Sequence, residues 1–256
     1  MFKDFLLLLS FMSRIPIKSK SAPAPEDWAR ALRFLPLWGL VLGIAVAAVA
    51  AVTSIISPAV AAACAVGAAA FLTGGLHLDG VMDVADGLMA GHDREKAFRF
   101  MSDAHVGGMG LISLAILLIL KFSLYLLLIN DWQIWWAIPA ALVFSRFVMA
   151  FLVYAFPNAK KFGLASQFHR CFDKRHFWVA AIITLIIFAL FANWYFILAA
   201  FFALLLSWSI ANNWGNRFGG LTGDMYGALA EWSEIIFLLL FFFALSLSAN
   251  LGPLLF

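Results

Sequence analysis

Leu111-Ile112-Ser113-Leu114-Ala115-Ile116-Leu117-Leu118-Ile119-Leu120 decides the fold class. The run carries no charge, and it lacks the strict apolar–polar alternation of a membrane-barrel strand. It lies inside a segment, 107–129, of the length that a bilayer-spanning helix needs, about 20 residues. Outward from it, segments of the same kind fall at 34–56, 59–78, 133–156, 177–192, 194–212 and 234–254. The whole chain agrees. Its 256 residues are 64% hydrophobic and 12% charged, with mean hydropathy +0.97, whereas a soluble domain is about half apolar and a quarter charged. The expected fold is all-α: one membrane-embedded domain over residues 1–256, a polytopic helical bundle of seven transmembrane helices, with six to eight as the range. Asn193 alone divides the fifth span from the sixth, so one tilted helix or a re-entrant pair fits the same letters.

Outside the spans, the first sixteen residues hold a short apolar run, Phe5 to Phe11, between Lys3 and Arg14. No small-x-small cleavage site follows that run directly, so a short interfacial helix is expected rather than a signal peptide. Lys18 to Pro25 reads as a loop. Cys64 and Cys171 have neither disulfide-framework nor metal spacing and read as small apolar fillers.

Loop charges give an orientation. Lys3, Arg14, Lys18, Lys20, Arg30 and Arg33 precede the first span; Arg94, Lys96 and Arg99 follow the second; Lys160, Lys161, Arg170, Lys174 and Arg175 follow the fourth; Arg217 follows the sixth. The intervening loops near Pro58, Asp131 and Asn193 carry no Lys or Arg. The positive-inside rule then predicts a cytoplasmic N-terminus and an external C-terminus. The polar loops are then expected on the cytoplasmic side of the membrane. Lys121 and Arg146 fall inside spans, where a charge needs a partner or water; snorkelling suits Arg146 better than Lys121.

Three polar constellations lie on that side. In Gly75-Leu76-His77-Leu78-Asp79-Gly80-Val81-Met82-Asp83-Val84-Ala85-Asp86-Gly87, helical geometry puts Asp79, Asp83 and Asp86 within an arc of roughly 60°. Three like charges on one stripe repel each other unless a cation or an aqueous cleft relieves them. A hard divalent cation is the first candidate, and Mg²⁺ characteristically serves phosphate oxygens. A helical hairpin through the loop at 88–96 would bring Asp103 back towards the stripe. Gly107, Gly108 and Gly110 suit helix packing or close backbone approach equally. His77 falls on the opposite side of the helix, which suits packing or support from behind; Asp93 and Glu95 read as solvated loop charges. The second constellation, Asn216-Arg217-Phe218-Gly219-Gly220-Leu221-Thr222-Gly223-Asp224, is glycine-rich, but no Lys-Ser/Thr pair makes it a P-loop. The third, Lys160 to Arg170, is a positive anchor or an electropositive rim for an anionic substrate. His92, His105, His169 and His176 lack metal spacing.

At these residues the chain resembles the cobalamin synthase family, adenosylcobinamide-GDP ribazoletransferases of bacterial cobalamin assembly. The segment Gly75 to Asp79-Gly80 with Asp83 and Asp86-Gly87 looks like the family's central signature, and Met101, Asp103, Gly107 and Gly110 like its second half. Gly219-Gly220-Leu221-Thr222-Gly223-Asp224 with Gly227-Ala228 resembles its C-terminal signature. Phe11 to Pro16, Phe34-Leu35-Pro36-Leu37 with Gly39, Ser145-Arg146 and Phe162-Gly163-Leu164 occur in the expected order. Ser102, Ala104 and His105 depart from the pattern beside Asp103.

The resemblance implies that α-ribazole, or its 5′-phosphate, displaces GMP from adenosylcobinamide-GDP. It implies Mg²⁺ on Asp79, Asp83, Asp86 and Asp103, with Asp103 also the candidate base for the hydroxyl proton. Arg217, Lys160, Lys161, Arg146 and Asp224 become the candidate substrate contacts. The partners expected are these two substrates and the lipid bilayer, with no nucleic acid and room for a homo-oligomer. Other readings are a CDP-alcohol-type lipid phosphotransferase, a cation-coupled transporter using intramembrane carboxylates, and a prenyltransferase, which would carry a second Asp-rich motif.

Overall fold

The computed structural model describes residues 1–15, 23–91, 93–131 and 135–251, with side chains described to Ser248. The loop expected from Lys18 to Pro25 falls largely outside these residues, as do Pro16, His92, the first residues of the 133–156 span and the end of the 234–254 span.

Twelve helices run in chain order among the described residues: α1 (Phe2–Met12), α2 (Pro25–Leu32), α3 (Leu35–Thr53), α4 (Pro58–Thr73), α5 (Leu76–Leu88), α6 (Arg94–Phe100), α7 (Gly108–Asn130), α8 (Ala137–Ala155), α9 (Leu164–Cys171), α10 (Lys174–Phe191), α11 (Trp194–Phe218) and α12 (Gly223–Leu251). Six of them, α3, α7, α8, α10, α11 and α12, are long and apolar enough to cross a membrane. The chain is thus a polytopic helical bundle. The first helix, α1, is the short N-terminal helix expected; its Asp4 holds Arg33 at 3.0 Å, pinning it to the end of α2.

Burial follows sequence. Nearly every side chain of α8 is buried, because α3, α10, α11 and α12 surround it. Gly39 and Gly43 of α3 lie directly against the α8 backbone at Leu142 and Pro139, where a Cβ would not fit. In a bilayer such close contact drives helix association, since lipid removes the hydrophobic incentive. Leu111, Ile116, Ile119, Leu185, Leu190 and Phe201 face outward instead, as lipid-facing residues do.

Two boundaries differ from those read in the sequence, and one division stands as read. The second span does not run on to residue 78: α4 ends at Thr73, and α5 leaves it at 90°. Gly74 and Gly75, both in the left-handed region at φ 68° and 72°, make the corner, and the Gly75 N–H closes the helix end on Ala70 O at 2.9 Å. The fifth and sixth spans are two helices, as read from the sequence, with their division at Asn193. Ala192 turns left-handed at φ 49°, and the Asn193 side chain accepts the Tyr195 N–H at 3.0 Å to cap α11. The last helix begins at Gly223, eleven residues before the predicted start at 234. Asp224, Glu231 and Glu234 spoil its hydropathy, but the last two are neutralised inside the bundle.

Candidate active site

α5 crosses the starts of α7 and α12. The crossing is tight at Gly80, where a Cβ would stand 2.6 Å from the Asp224 carbonyl oxygen. It sets Asp79 and Asp83 beside Asp224, in the first turn of α12. Lys160 comes to the same place. A two-residue parallel bridge joins Asn158 to Leu221, with Ala159 N–H donating to Leu221 O at 2.8 Å and Leu221 N–H to Pro157 O at 2.9 Å. The loop carrying Lys160 is therefore tied to the loop that leads into Asp224.

The stripe forms as the helical spacing requires, and its electrostatics are strained. Burial pushes the Asp83 carboxyl up to about 7; Asp79, Asp224 and Asp86 push it the same way, against Lys160.

Asp86 has a second duty. Its Oδ2 accepts the Gly107 N–H at 2.7 Å and its Oδ1 the Gly110 N–H at 2.8 Å. It thereby caps the N-terminus of α7, where orphan donors and the helix dipole favour an anion. A side chain at Gly107 or Gly110 would collide with this carboxylate.

The other predicted residues lie around this centre or away from it. Asp103 is exposed; its Oδ1 accepts the His105 N–H at 2.9 Å and meets the His105 imidazole at 2.9 Å. These contacts hold its carboxyl below the usual range. The carboxylates that act most on Asp83 are Asp79, Asp224 and Asp86, whereas Asp103 shares a surface cleft with Asp86, Phe100 and His105. Arg217 donates to Leu88 O at 2.7 Å and also to Gly91 O, closing the end of α5. Lys161 is exposed, and its carbonyl accepts the Ser166 hydroxyl and Arg170.

Arg146 lies elsewhere, only 1% exposed within the bundle. Its Nη1 meets Ser145 Oγ at 2.9 Å and its Nη2 lies 3.9 Å from Glu231 Oε1. Lys121 completes that cluster, paired with Glu231 and, at 3.2 Å, with Glu234, whose other oxygen accepts the Tyr125 hydroxyl at 2.8 Å. The partner expected for Lys121 is thus a carboxylate pair one turn apart on α12. Sequence reasoning did not single out Glu231 and Glu234. The available signal was two acids at i, i+3 spacing in an apolar helix, matched against Lys121 and Arg146.

Among the described residues, no three His, Cys, Asp or Glu side chains stand close enough together to hold a metal ion as they are placed. What the stripe offers is an open, all-oxygen set of carboxylates under mutual repulsion.

The comparisons with known proteins agree along nearly the whole chain. A family model described as cobalamin-5-phosphate synthase matches residues 4–242. The chain is 34% identical to an adenosylcobinamide-GDP ribazoletransferase of Desulfitobacterium hafniense (strain Y51), covering 91% of this chain and 94% of that one. It is 33% identical to the protein of the same name in Clostridium botulinum (strain Okra / Type B1), over 93% and 96% of the two chains. It is 30% identical to that of Acinetobacter baumannii (strain ATCC 17978), over 93% and 96%. No solved structure matches. With its signature carboxylates gathered where α5 crosses α12, this chain belongs to the cobalamin-5-phosphate synthase family.

Proposed function

We propose that this chain joins α-ribazole, or its 5′-phosphate, to adenosylcobinamide-GDP with release of GMP. The family match carries the reading, since the relatives it aligns with end to end bear the name adenosylcobinamide-GDP ribazoletransferase. A hydroxyl oxygen of the nucleoside forms a new bond to the phosphorus attached to the corrinoid side chain. The P–O bond to GMP breaks, GMP keeps the bridging oxygen, and the hydroxyl proton passes to a carboxylate or to water.

The residues suit this chemistry. Asp79, Asp83 and Asp224, with Asp86 at the α7 terminus, are the carboxylates from which Mg²⁺ would draw one or two ligands. Their oxygen-only donors and open arrangement fit a cation that takes one or two carboxylates and leaves its other positions to phosphate and water. The strain on Asp83 supports the same reading, because a cation relieves it. Bound there, Mg²⁺ would neutralise charge on the diphosphate and on departing GMP. Lys160 stands beside these carboxylates as the cation for a phosphate oxygen. Arg217 acts through backbone carbonyls to hold the end of α5, and Lys161 adds positive potential at the rim. Asp103, on the cleft it shares with Asp86, is the candidate proton acceptor. The site faces the cytoplasm by loop charge, where nucleotide substrates reside.

Incubation of the purified protein with adenosylcobinamide-GDP, α-ribazole and Mg²⁺ tests the reading through GMP release. No GMP above the level of a heat-treated control would overturn it.

A further inference from the structure

Beside the acidic crossing lies an apolar cavity of about 210 Å³ that the carboxylate chemistry leaves unused. α1, α3, α8 and α9 wall it with Phe11, Leu35, Met149, Val153 and Phe168, while α5 and α12 add His77, Tyr226 and Asp224. Phe11 and Phe168 meet edge to face at 5.6 Å. Asp224 belongs to both places, lining the cavity while it acts on Asp83.

The cavity is apolar in its walls and polar at a few points, the usual composition of a small-molecule site. Those polar points are incomplete. His77 is 4% exposed and Tyr226 2% exposed. Neither imidazole nitrogen of His77 is hydrogen-bonded, and the Tyr226 hydroxyl lies near the Asn158 side chain without completing a hydrogen bond to it. Glu231 Oε1 is at 3.7 Å from His77 Nδ1, too far for a hydrogen bond. Buried polar groups without partners are costly, so each asks for a ligand atom or water.

Size narrows the occupant. A cavity of about 150 Å³ takes one benzene, so this one suits a fused bicyclic ring and is far too small for a macrocycle. The sequence points to the same place. Three segments of the family resemblance stand apart from the carboxylates: Phe11 to Pro16, Phe34 to Leu37 and Phe162 to Leu164. They supply Phe11, Met12, Leu35 and Leu164 to this wall.

We infer that the cavity holds the aromatic base of the nucleoside substrate, a flat bicyclic nitrogen heterocycle, with its ribose at the Asp224 side. The apolar walls and aromatic edges take the ring faces. His77 or Tyr226 pairs with a ring nitrogen. The sugar hydroxyls then emerge at Asp224, next to Asp83, where the phosphoryl transfer takes place. A lipid acyl chain would leave His77 and Tyr226 unpaired, and the observations favour the heterocycle. The inference rests on the proposed transferase reaction and specifies where its second substrate sits.

The test uses the full chain in detergent. Val153→Phe fills the cavity from α8, and Tyr226→Phe removes one polar atom without changing shape. Val153→Phe is expected to raise the KM for α-ribazole about tenfold or more and to leave the KM for adenosylcobinamide-GDP within about twofold. Tyr226→Phe, which keeps the fold if Val153→Phe does not, is expected to raise the same KM severalfold. Benzimidazole alone, in equilibrium dialysis, should bind the wild-type protein and bind Val153→Phe more weakly. Unchanged nucleoside KM in folded variants overturns the inference, as does tightly held phospholipid that benzimidazole does not displace. Wild-type GMP release separates the two failures: present with an unmoved KM, only this inference falls; absent, the transferase reading falls first.

Discussion

Asp86 Oδ2 accepts the N–H of Gly107 at 2.7 Å, so a carboxylate of the acidic stripe is also the cap of another helix. This joins the orientation of α5 to the first turn of α7. Asp86→Ala removes the cap and should cost about 1–2 kcal/mol, read as a lower melting temperature by tryptophan fluorescence in detergent. Gly107→Ala and Gly110→Ala place a methyl group against the same carboxylate and should cost about 1–3 kcal/mol, the usual penalty for overfilling a closed site. An alanine at Gly108, where a Cβ meets nothing within 4 Å, is the neutral comparison.

Most of the architecture was legible because lipid imposes long uncharged helices, and seven segments of that kind stand out between basic loops. The errors share one cause. Hydropathy counts residues one at a time, whereas α12 is polar only until its partners are known: Glu231 and Glu234 meet Lys121 on a helix more than a hundred residues earlier. The corner at Gly74-Gly75 was likewise written as two glycines, but the 90° turn needs both in the left-handed region. In the site, the stripe was readable because it is local, one face of one helix. Asp224 and Lys160 join it through the Asn158–Leu221 bridge, a tertiary contact with no local signature. Arg217 reads as a substrate contact from its charge; its guanidinium also donates to the carbonyls of Leu88 and Gly91 at the end of α5, which the sequence does not foretell.

Lys121 tests whether the interior cluster is stable only as a whole. Lys121→Met leaves Glu234 with the Tyr125 hydroxyl and no cation at hydrogen-bond distance. Removing one partner of a buried ion pair costs about 3–5 kcal/mol, so folded yield and melting temperature should fall sharply. Adding Glu234→Gln removes the stranded charge and should restore much of the loss. A single variant as stable as the parent would show that the cluster is hydrated rather than dry.

Orientation is open to a direct check. The loops near Asp131 and Asn193 carry no Lys or Arg, while the loops around Lys160 and Arg217 do. Reporter fusions after Asp131 and after Asn193 should therefore report the outside. A cytoplasmic signal at Asp131 would put the acidic crossing on the wrong face for nucleotide substrates.

The Asp83 carboxyl couples cation binding to pH. Its folded-state value of about 7 lies above the ordinary 3.8, so between these values the folded chain holds a proton that the unfolded chain has released. Stability from this group is full below 3.8 and is lost as pH rises through about 7. A bound divalent cation replaces that proton. Mg²⁺ should therefore raise the melting temperature more above pH 7 than near pH 4. In Asp83→Asn the difference between the two conditions should shrink. An equal Mg²⁺ effect at both ends of the range would detach the cation from this carboxylate.

The decisive comparison is among the acids themselves. Asp79, Asp83 and Asp224 meet at one crossing, Asp86 is shared between that crossing and the α7 cap, and Asp103 stands on the surface with His105. Asparagine at each position keeps the shape and removes one negative charge. At Asp79, Asp83 and Asp224 it should lower kcat by about 10², equivalent to about 2.7 kcal/mol of transition-state stabilisation. Raised Mg²⁺ should restore part of it. Folding should survive, since removing one charge from a repelling group relieves strain. Asp103→Asn separates the two roles read for that residue. As a proton acceptor it should lower kcat without any Mg²⁺ rescue; as a cation ligand it should respond to Mg²⁺ as Asp83→Asn does. Asp93→Asn and Glu95→Gln are the controls. Both residues are exposed on α6 or its cap, and an asparagine at 93 still offers an acceptor to the Lys96 N–H, which Asp93 holds at 2.9 Å. GMP release by Asp83→Asn equal to that of the parent would remove the acidic crossing from the reaction, however well the chain matches its relatives.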